Sequence, residues 1–264
     1  QAAELCGMPR LGVGLRPPTR FGDGRIGYAL SGRGESSRRA IGRGIHQVFP
    51  TMTDGELQAY LLDLMERRVG LWEHYSQLTG QLARLRQSLR QWRRDASNPL
   101  DALRRRRVAT AVRRSWRRKI TDEAGDYALI ISGERIGSLP ELPEGVSFDH
   151  VRRLILSDLG LGEINGDFLR RFPNLIELDL SGNRLTAIPH GIEHLPRLRQ
   201  LNLRRNSVIM DEAGELRLAG MSALRYLDLS HNPLGRAPVL TRLGNLREVN
   251  LRSAGLEALP EQIS

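Results

Sequence analysis

Residues 175–185 read LIELDLSGNRL, with leucine at 175, 178, 180 and 185 and asparagine at 183. The same frame returns as LRQLNLRRNSV at 198–208, LRYLDLSHNPL at 224–234 and LREVNLRSAGL at 246–256, and VRRLILSDLGL precedes them at 151–161. The second aliphatic position of each copy falls at Leu154, Leu178, Leu201, Leu227 and Val249, giving intervals of 24, 23, 26 and 22 residues. A frame held at this period defines a chain of stacked coils, each one too small to bury its own apolar face.

The alternating leucines point to one side of a short strand and meet those of the next coil. This period and pattern predict an α/β leucine-rich-repeat solenoid, with parallel strands on the concave face and an α-helical, basic capping region in front of it. Asn183, Asn206 and Asn232 stand where the chain leaves the strand, where an amide can serve backbone groups that no ladder reaches. Leu159 and Ala254 take that place in the first and last copies, so those two turns should be weaker or differently closed. Prolines at 189, 238 and 260 suit extended or short helical returns on the convex side. The 26-residue interval holds Asp211 to Leu218, which reads as an added helical turn. Leu129, Ile131 and Ile136 form a degenerate half-copy that should start the solenoid. About five full copies and this half-copy occupy residues 121–264.

Charge divides the chain. Residues 1–120 carry 24 Lys+Arg against 10 Asp+Glu, whereas residues 121–264 carry 16 against 20. Aromatic residues make up only 5% of the sequence, so leucine must supply most of the core. Cys6 is the single cysteine, which excludes an internal disulfide and a cysteine-based zinc site. No run of 18 or more apolar residues occurs, so a membrane-spanning helix is not expected. Because the chain begins at Gln1 and stops in mid-repeat, we expect it to be a piece of a longer protein.

Within residues 36–120 the pattern is helical. Leu71, Tyr75, Leu78, Leu82, Leu85, Leu89 and Trp92 alternate spacings of four and three, giving one apolar stripe. Thr53 and Glu56 form a capping-box pair opening a shorter helix through Leu64, and residues 36–49 should form another. Asn98-Pro99 opens a further helix whose Val108, Val112 and Trp116 recur at i+4. That stripe should cover the first coils of the solenoid, with the arginines of the helix turned outward. Residues 1–35, rich in glycine and proline, read as the end of an upstream domain or a linker.

The runs RRRR (104–107) and RRSWRRK (113–119) suit either an anionic partner, nucleic acid or an acidic membrane, or a solvated helix whose charges pair elsewhere. The aromatic stacking residues of nucleic-acid modules are missing, which makes nucleic acid the weaker reading. Lys119 is the only lysine beside 39 arginines. Codon bias toward arginine explains this ratio, and so does avoidance of modifiable amines, since arginine keeps the charge without a reactive ammonium.

The helical lead-in ending in LRQWRR (89–94), then RRRVA (105–109), RRSWRRK, GSLPELP (137–143) and FLRRFPNL (168–175) resembles large leucine-rich-repeat proteins of Pseudomonas and related bacteria. These are similar to type III secreted effectors and toxins that join a dermonecrotic-toxin-like region, helices, leucine-rich repeats and a novel-class ubiquitin ligase domain. The resemblance covers about residues 36–264. It implies a virulence protein delivered into a host cell, with repeats that select host targets or restrain the parent's own ligase domain. The family's catalytic cysteine follows the repeats, and Cys6 lies before them, so no catalytic residue carries over to this chain.

His190, Glu193 and His194 spell HxxEH, a zinc-peptidase order. The repeat already accounts for them, because Pro189, Ile192 and Leu195 are frame positions and the histidines fill variable convex slots. Gly12 and Gly14 lack the strand-to-helix context of a phosphate loop. We therefore expect no cofactor and no metal. Strand residues between the leucines offer more, since they project from rigid neighbours in three columns. The first is Arg153, Glu177, Gln200, Tyr226 and Glu248; the second is Ile155, Asp179, Asn202, Asp228 and Asn250; the third is Ser157, Ser181, Arg204, Ser230 and Arg252. The Asp/Asn column reads equally as a structural hydrogen-bond ladder. Arginine and tyrosine dominate interface energies, so Tyr226, Arg204, Arg205, His231, Arg252, Arg153 and Glu177 are the candidate partner-binding residues.

Overall fold

The computed structural model describes residues 37–256, together with 19–20 and 26–27. Cys6, Gly12, Gly14, Leu259 and Pro260 lie outside the described residues. The chain divides into two compact units, residues 1–78 and 79–264.

In the first unit, strands β1 (Thr19–Arg20) and β2 (Ile26–Gly27) pair antiparallel. Helices α1 (Ser37–Val48) and α2 (Asp54–Glu66) follow, and α3 (Leu71–Arg94) contributes residues 71–78. The capping box forms as the sequence predicts: Glu56 N–H donates to Thr53 Oγ1, and Thr53 N–H donates to Glu56 Oε2 at 2.7 Å. Ile41, Ile45, Leu57, Leu61 and Leu64 are buried. Gly44 is required by a close approach, since a β-carbon there would stand 2.7 Å from the Tyr75 ring.

In the second unit, residues 79–94 of α3 and helix α4 (Pro99–Trp116) precede six parallel strands. These are β3 (Ala128–Ser132), β4 (Arg153–Ser157), β5 (Glu177–Asp179), β6 (Gln200–Asn202), β7 (Tyr226–Asp228) and β8 (Glu248–Asn250), ordered in the sheet as in the chain. Their register puts Leu129, Leu154, Leu178, Leu201, Leu227 and Val249 in one inward row, all fully buried except half-buried Val249. Each such leucine contributes about 2 kcal/mol of apolar burial. The half-copy is thus a full strand, longer than the central ones. Short helices α5 (Gly166–Arg170) and α6 (Glu212–Ala219) fill two of the returns, with α6 opened by Asp211, which accepts from Gly214 N–H at 2.7 Å.

The asparagines bind coil to coil. Asn206 accepts from Leu185 N–H at 3.0 Å, and its amide donates to the carbonyls of Leu180 and Leu203. Asn183 and Asn232 repeat this one coil before and one coil after. Each is buried, so loss of the amide would strand several backbone groups away from water at about 1–3 kcal/mol apiece. The end coils close differently, as expected: with no amide at those positions, Leu159 O accepts from Gly137 N–H and Ala254 O from Leu234 N–H, both at 3.0 Å.

Helix α4 packs on β3. Asn98 caps it, accepting from Asp101 N–H, and Pro99 takes the first turn. Val108, Val112 and Trp116 are buried, as are Leu129, Ile131 and Ile136 of the first coil, so the stripe serves as the cover the sequence predicts. Buried polar contacts fix the docking: Ser115 Oγ donates to Ala128 O at 2.9 Å, and His150 Nε2 lies 2.8 Å from Ser115 O. The outward orientation of the arginines needs one correction. Arg105 turns inward, pairing with Asp101 and donating to Trp92 O at 2.7 Å while its guanidinium lies over the Trp92 ring, because the indole face offers a cation a better site than the surface.

Two measurements follow from this cap. Residues 121–264 expressed alone should melt well below residues 79–264 or associate through the bared first coil, and Trp116→Ala should cost about 3–5 kcal/mol in denaturant unfolding. Equal melting temperatures would show that β3 needs no cover.

His150 supplies a pH dependence. Burial, and secondarily the Arg118 charge, lower its pKa from 6.5 to about 4 against the opposing pull of Ser115 O and Asp149. A group neutral in the fold but protonated in the unfolded chain gives stability that is complete above pH 6.5 and lost as pH falls toward about 4. Unfolding midpoints should drop across that window, and His150→Gln should flatten the slope.

Candidate functional site

The strand register bears out the first two columns. Arg153, Glu177, Gln200, Tyr226 and Glu248 are successive partners, and so are Ile155, Asp179, Asn202, Asp228 and Asn250. Parallel strands stand about 4.8 Å apart, so each column presents its side chains as a close row.

The second column is in large part structural. Asn202 donates to Asp179 Oδ2 at 3.0 Å and Asn250 to Asp228 Oδ2 at 3.1 Å. Each Asp or Asn of the column also accepts from the backbone N–H two residues on: Asp179 from Ser181, Asn202 from Arg204, Asp228 from Ser230 and Asn250 from Arg252. These bonds fix the backbone beneath the third column.

Arg153 and Glu177 bind each other. The guanidinium donates twice to Glu177, at 2.7 and 3.1 Å, and once to Asp122 at 2.9 Å. Glu177 first, and Asp122 after it, raise the Arg153 pKa above its ordinary value, while the bond from Arg153 leads the causes that lower Asp122. The pair therefore ties β4 to β5 and to the segment before β3.

Among the other candidates, Tyr226 donates its hydroxyl to Asp228 Oδ2 at 3.2 Å. Burial, then the Asp228 carboxylate, raise the phenol pKa, so it stays a hydrogen-bond donor at neutral pH. Arg204 is half-buried, and its Nε is buried without a hydrogen-bond partner. The hydroxyl of Ser230, next in that column, is likewise buried and unpartnered. Arg252, beyond Ser230, is exposed. Arg205 and His231 are exposed and carry left-handed backbone, φ 53° and 56°.

That backbone belongs to a fourth row which the sequence reasoning missed. Asp158, Gly182, Arg205, His231 and Ser253 precede the asparagine position of each copy, and all have φ between 53° and 67°. Gly182 in the frame was the available signal, since glycine marks positions that favour positive φ. The Asp158 side chain also occupies the space where a β-carbon on Gly182 would sit.

The face thus sets an acidic row, with Asp179 and Asp228, beside cationic Arg204, Arg205 and Arg252. On the convex side, His190, Glu193 and His194 do not converge as a set of three: His190 Nε2 meets Arg217 at 2.9 Å, whereas Glu193 accepts from Gly191 N–H and has exposed His194 Nε2 3.7 Å from its Oε1. Among the described residues no group of three metal-ligating side chains gathers, and no helix is long and apolar enough to cross a membrane.

The class these features define is a leucine-rich-repeat fold whose strand face carries the variable residues. Residues 149–208 match one leucine-rich-repeat family model and residues 223–243 another. Tsukushi of Gallus gallus is 34% identical over 134 residues, covering 41% of this chain and 36% of that protein. Podocan-like protein 1 of Homo sapiens is 40% identical over 110 residues, covering 40% of this chain and 20% of that protein. The chain therefore spans about a third or less of the length of these relatives. Among solved structures, the leucine-rich-repeat domain of the type III effector XopL aligns with a TM-score of 0.49 at 18% identity, covering 65% of this chain and 72% of that one.

Proposed function

We propose that the chain is a protein-recognition module that binds its partner on the outward face of the sheet, around Arg204 and Tyr226. The observation that carries this reading is the pair of buried, unpartnered polar atoms, Arg204 Nε and Ser230 Oγ, at neighbouring positions of one column. The two atoms are themselves sealed from solvent, but the half-buried Arg204 side chain that carries one of them reaches the surface, where a partner's carboxylate or backbone carbonyl would give its guanidinium the acceptor it lacks. Tyr226 supplies a rigid aromatic surface beside the pair, and Arg205, His231 and Arg252 supply a polar rim. The juxtaposed acidic and cationic rows suit a protein surface bearing both signs rather than a uniformly charged polymer. Placement of this module in a bacterial effector delivered to a host cell, with a ligase domain in the parent, is part of the proposal and rests on the helical lead-in motifs alone.

The test takes a partner captured by crosslinking and verified as a purified pair. Arg204→Ala with Tyr226→Ala should weaken it by about 2 kcal/mol or more by calorimetry, with the melting temperature little changed. Leu216→Arg, an exposed change on α6, should leave affinity intact. The reverse pattern would move the interface to the convex side.

A further inference from the structure

Helices α3 and α4 enclose a groove of about 400 Å³ that is lined by Arg86, Arg90 and Arg93 from α3 and Arg106 and Arg113 from α4, over Leu89, Ala109 and Thr110. No acidic residue lines it. On α3 the arginines recur at i, i+4 and i+7, and on α4 they are seven residues apart, so each row runs about 10 Å along its helix. All five are exposed, and among the described residues none of them forms an ion pair. Arg105 and Arg107, on the same helix, are paired with Asp101 and Glu134. Arg104 and Arg114 of α4, also outside the groove, form no ion pair among the described residues either, so what sets the groove apart is that five unpaired arginines from two helices line one concave space.

Packing does not call for this arrangement. The apolar burial in these two helices comes from residues such as Leu85, Leu89, Val108 and Val112, and any polar residue would serve at the five exposed positions. Favourable interaction with a helix C-terminus accounts for Arg93 and Arg113, which lie in last turns, but not for Arg86, Arg90 or Arg106 farther back. The crowding is felt at the end of the groove: burial first, then the charges of Arg86 and Arg113, lower the pKa of Arg117. A multivalent anion would remove that repulsion. The planar guanidinium fork matches phosphate and carboxylate oxygens alike, but a phosphate monoester brings about −1.5 to −2 charges in one small group, so clustered phosphates neutralise five arginines in a small groove better than a carboxylate chain does. No aromatic side chain lines the groove for a base to stack on, and rows of about 10 Å fall well short of one duplex turn of about 34 Å.

We propose that this groove binds a compact ligand bearing several clustered phosphate monoesters, of the inositol-polyphosphate type, whether free or displayed as a lipid headgroup. This does not depend on the sheet-face reading, since the groove and the strand columns share no residue.

The test titrates the whole chain with inositol hexakisphosphate at about 0.15 M salt, where weak surface attraction is screened. Saturable binding with a rise in melting temperature is expected. Arg90→Glu with Arg106→Glu should weaken it by about tenfold or more, as loss of charge-assisted bonds predicts. Arg225→Glu with Arg247→Glu makes the same change in net charge on exposed positions of the solenoid and should leave affinity within about twofold. The groove sites are exposed, so the melting temperature of the unliganded variant reports that it is folded. Recruitment to vesicles containing phosphatidylinositol bisphosphate but not to phosphatidylserine vesicles identifies the headgroup as source, and binding confined to the soluble probe identifies a free ligand; either supports the site. Three results overturn it: no binding at that salt, equal losses in the two double variants, or tighter groove-dependent binding of duplex DNA than of the soluble probe.

Discussion

No coil of this chain can bury its own leucines. The inward row from Leu154 to Leu227 is dry only because each member is covered by the coil before and the coil after, so stability passes from neighbour to neighbour along the stack. Backbone groups at the turns meet the same difficulty, and Asn183, Asn206 and Asn232 meet it in the same manner, by reaching from one coil into the previous one.

This constraint gives the α3–α4 region its first role. A stack has ends, and the N-terminal end here carries Leu129 and Ile131, which would face water without Val108, Val112 and Trp116. The apolar side of α4 is therefore committed to β3, with Ser115 and His150 supplying the polar contacts that fix its position. Its arginines divide accordingly: Arg105 folds over Trp92, Arg107 reaches Glu134, and Arg106 and Arg113 face the arginines of α3. A charge density that reads in sequence as one basic tract is, in the fold, several different environments.

The sheet face shows the converse economy. The repeat fixes the backbone so firmly that the outward residues are free to vary, and most of them still satisfy one another, through Arg153 with Glu177 and through the Asp/Asn pairs. Against that self-sufficient background the unpartnered Arg204 Nε and Ser230 Oγ stand apart. A rigid face that completes its own hydrogen bonds in most places directs attention to the few where it does not.

The sequence by itself determined the period, the strand columns, the asparagine turns, the capping box at Thr53, the Asn98 cap and the stripe that covers the first coil, because each depends on spacing within a short segment or on a repeated frame. Tertiary structure alone decided which charged side chains from distant segments meet. Arg153 with Glu177 is separated by 24 residues, and the groove joins α3 to α4 through side chains whose one-dimensional pattern is only a high arginine content. The positive φ before each asparagine was half legible, through Gly182, but Arg205 and His231 hide it because their side chains do not advertise the left-handed backbone beneath them. Local spacing fixes where a backbone goes; whether a charge ends paired, stacked on an indole or facing its own kind depends on distant segments brought together by burial, and that information is not local.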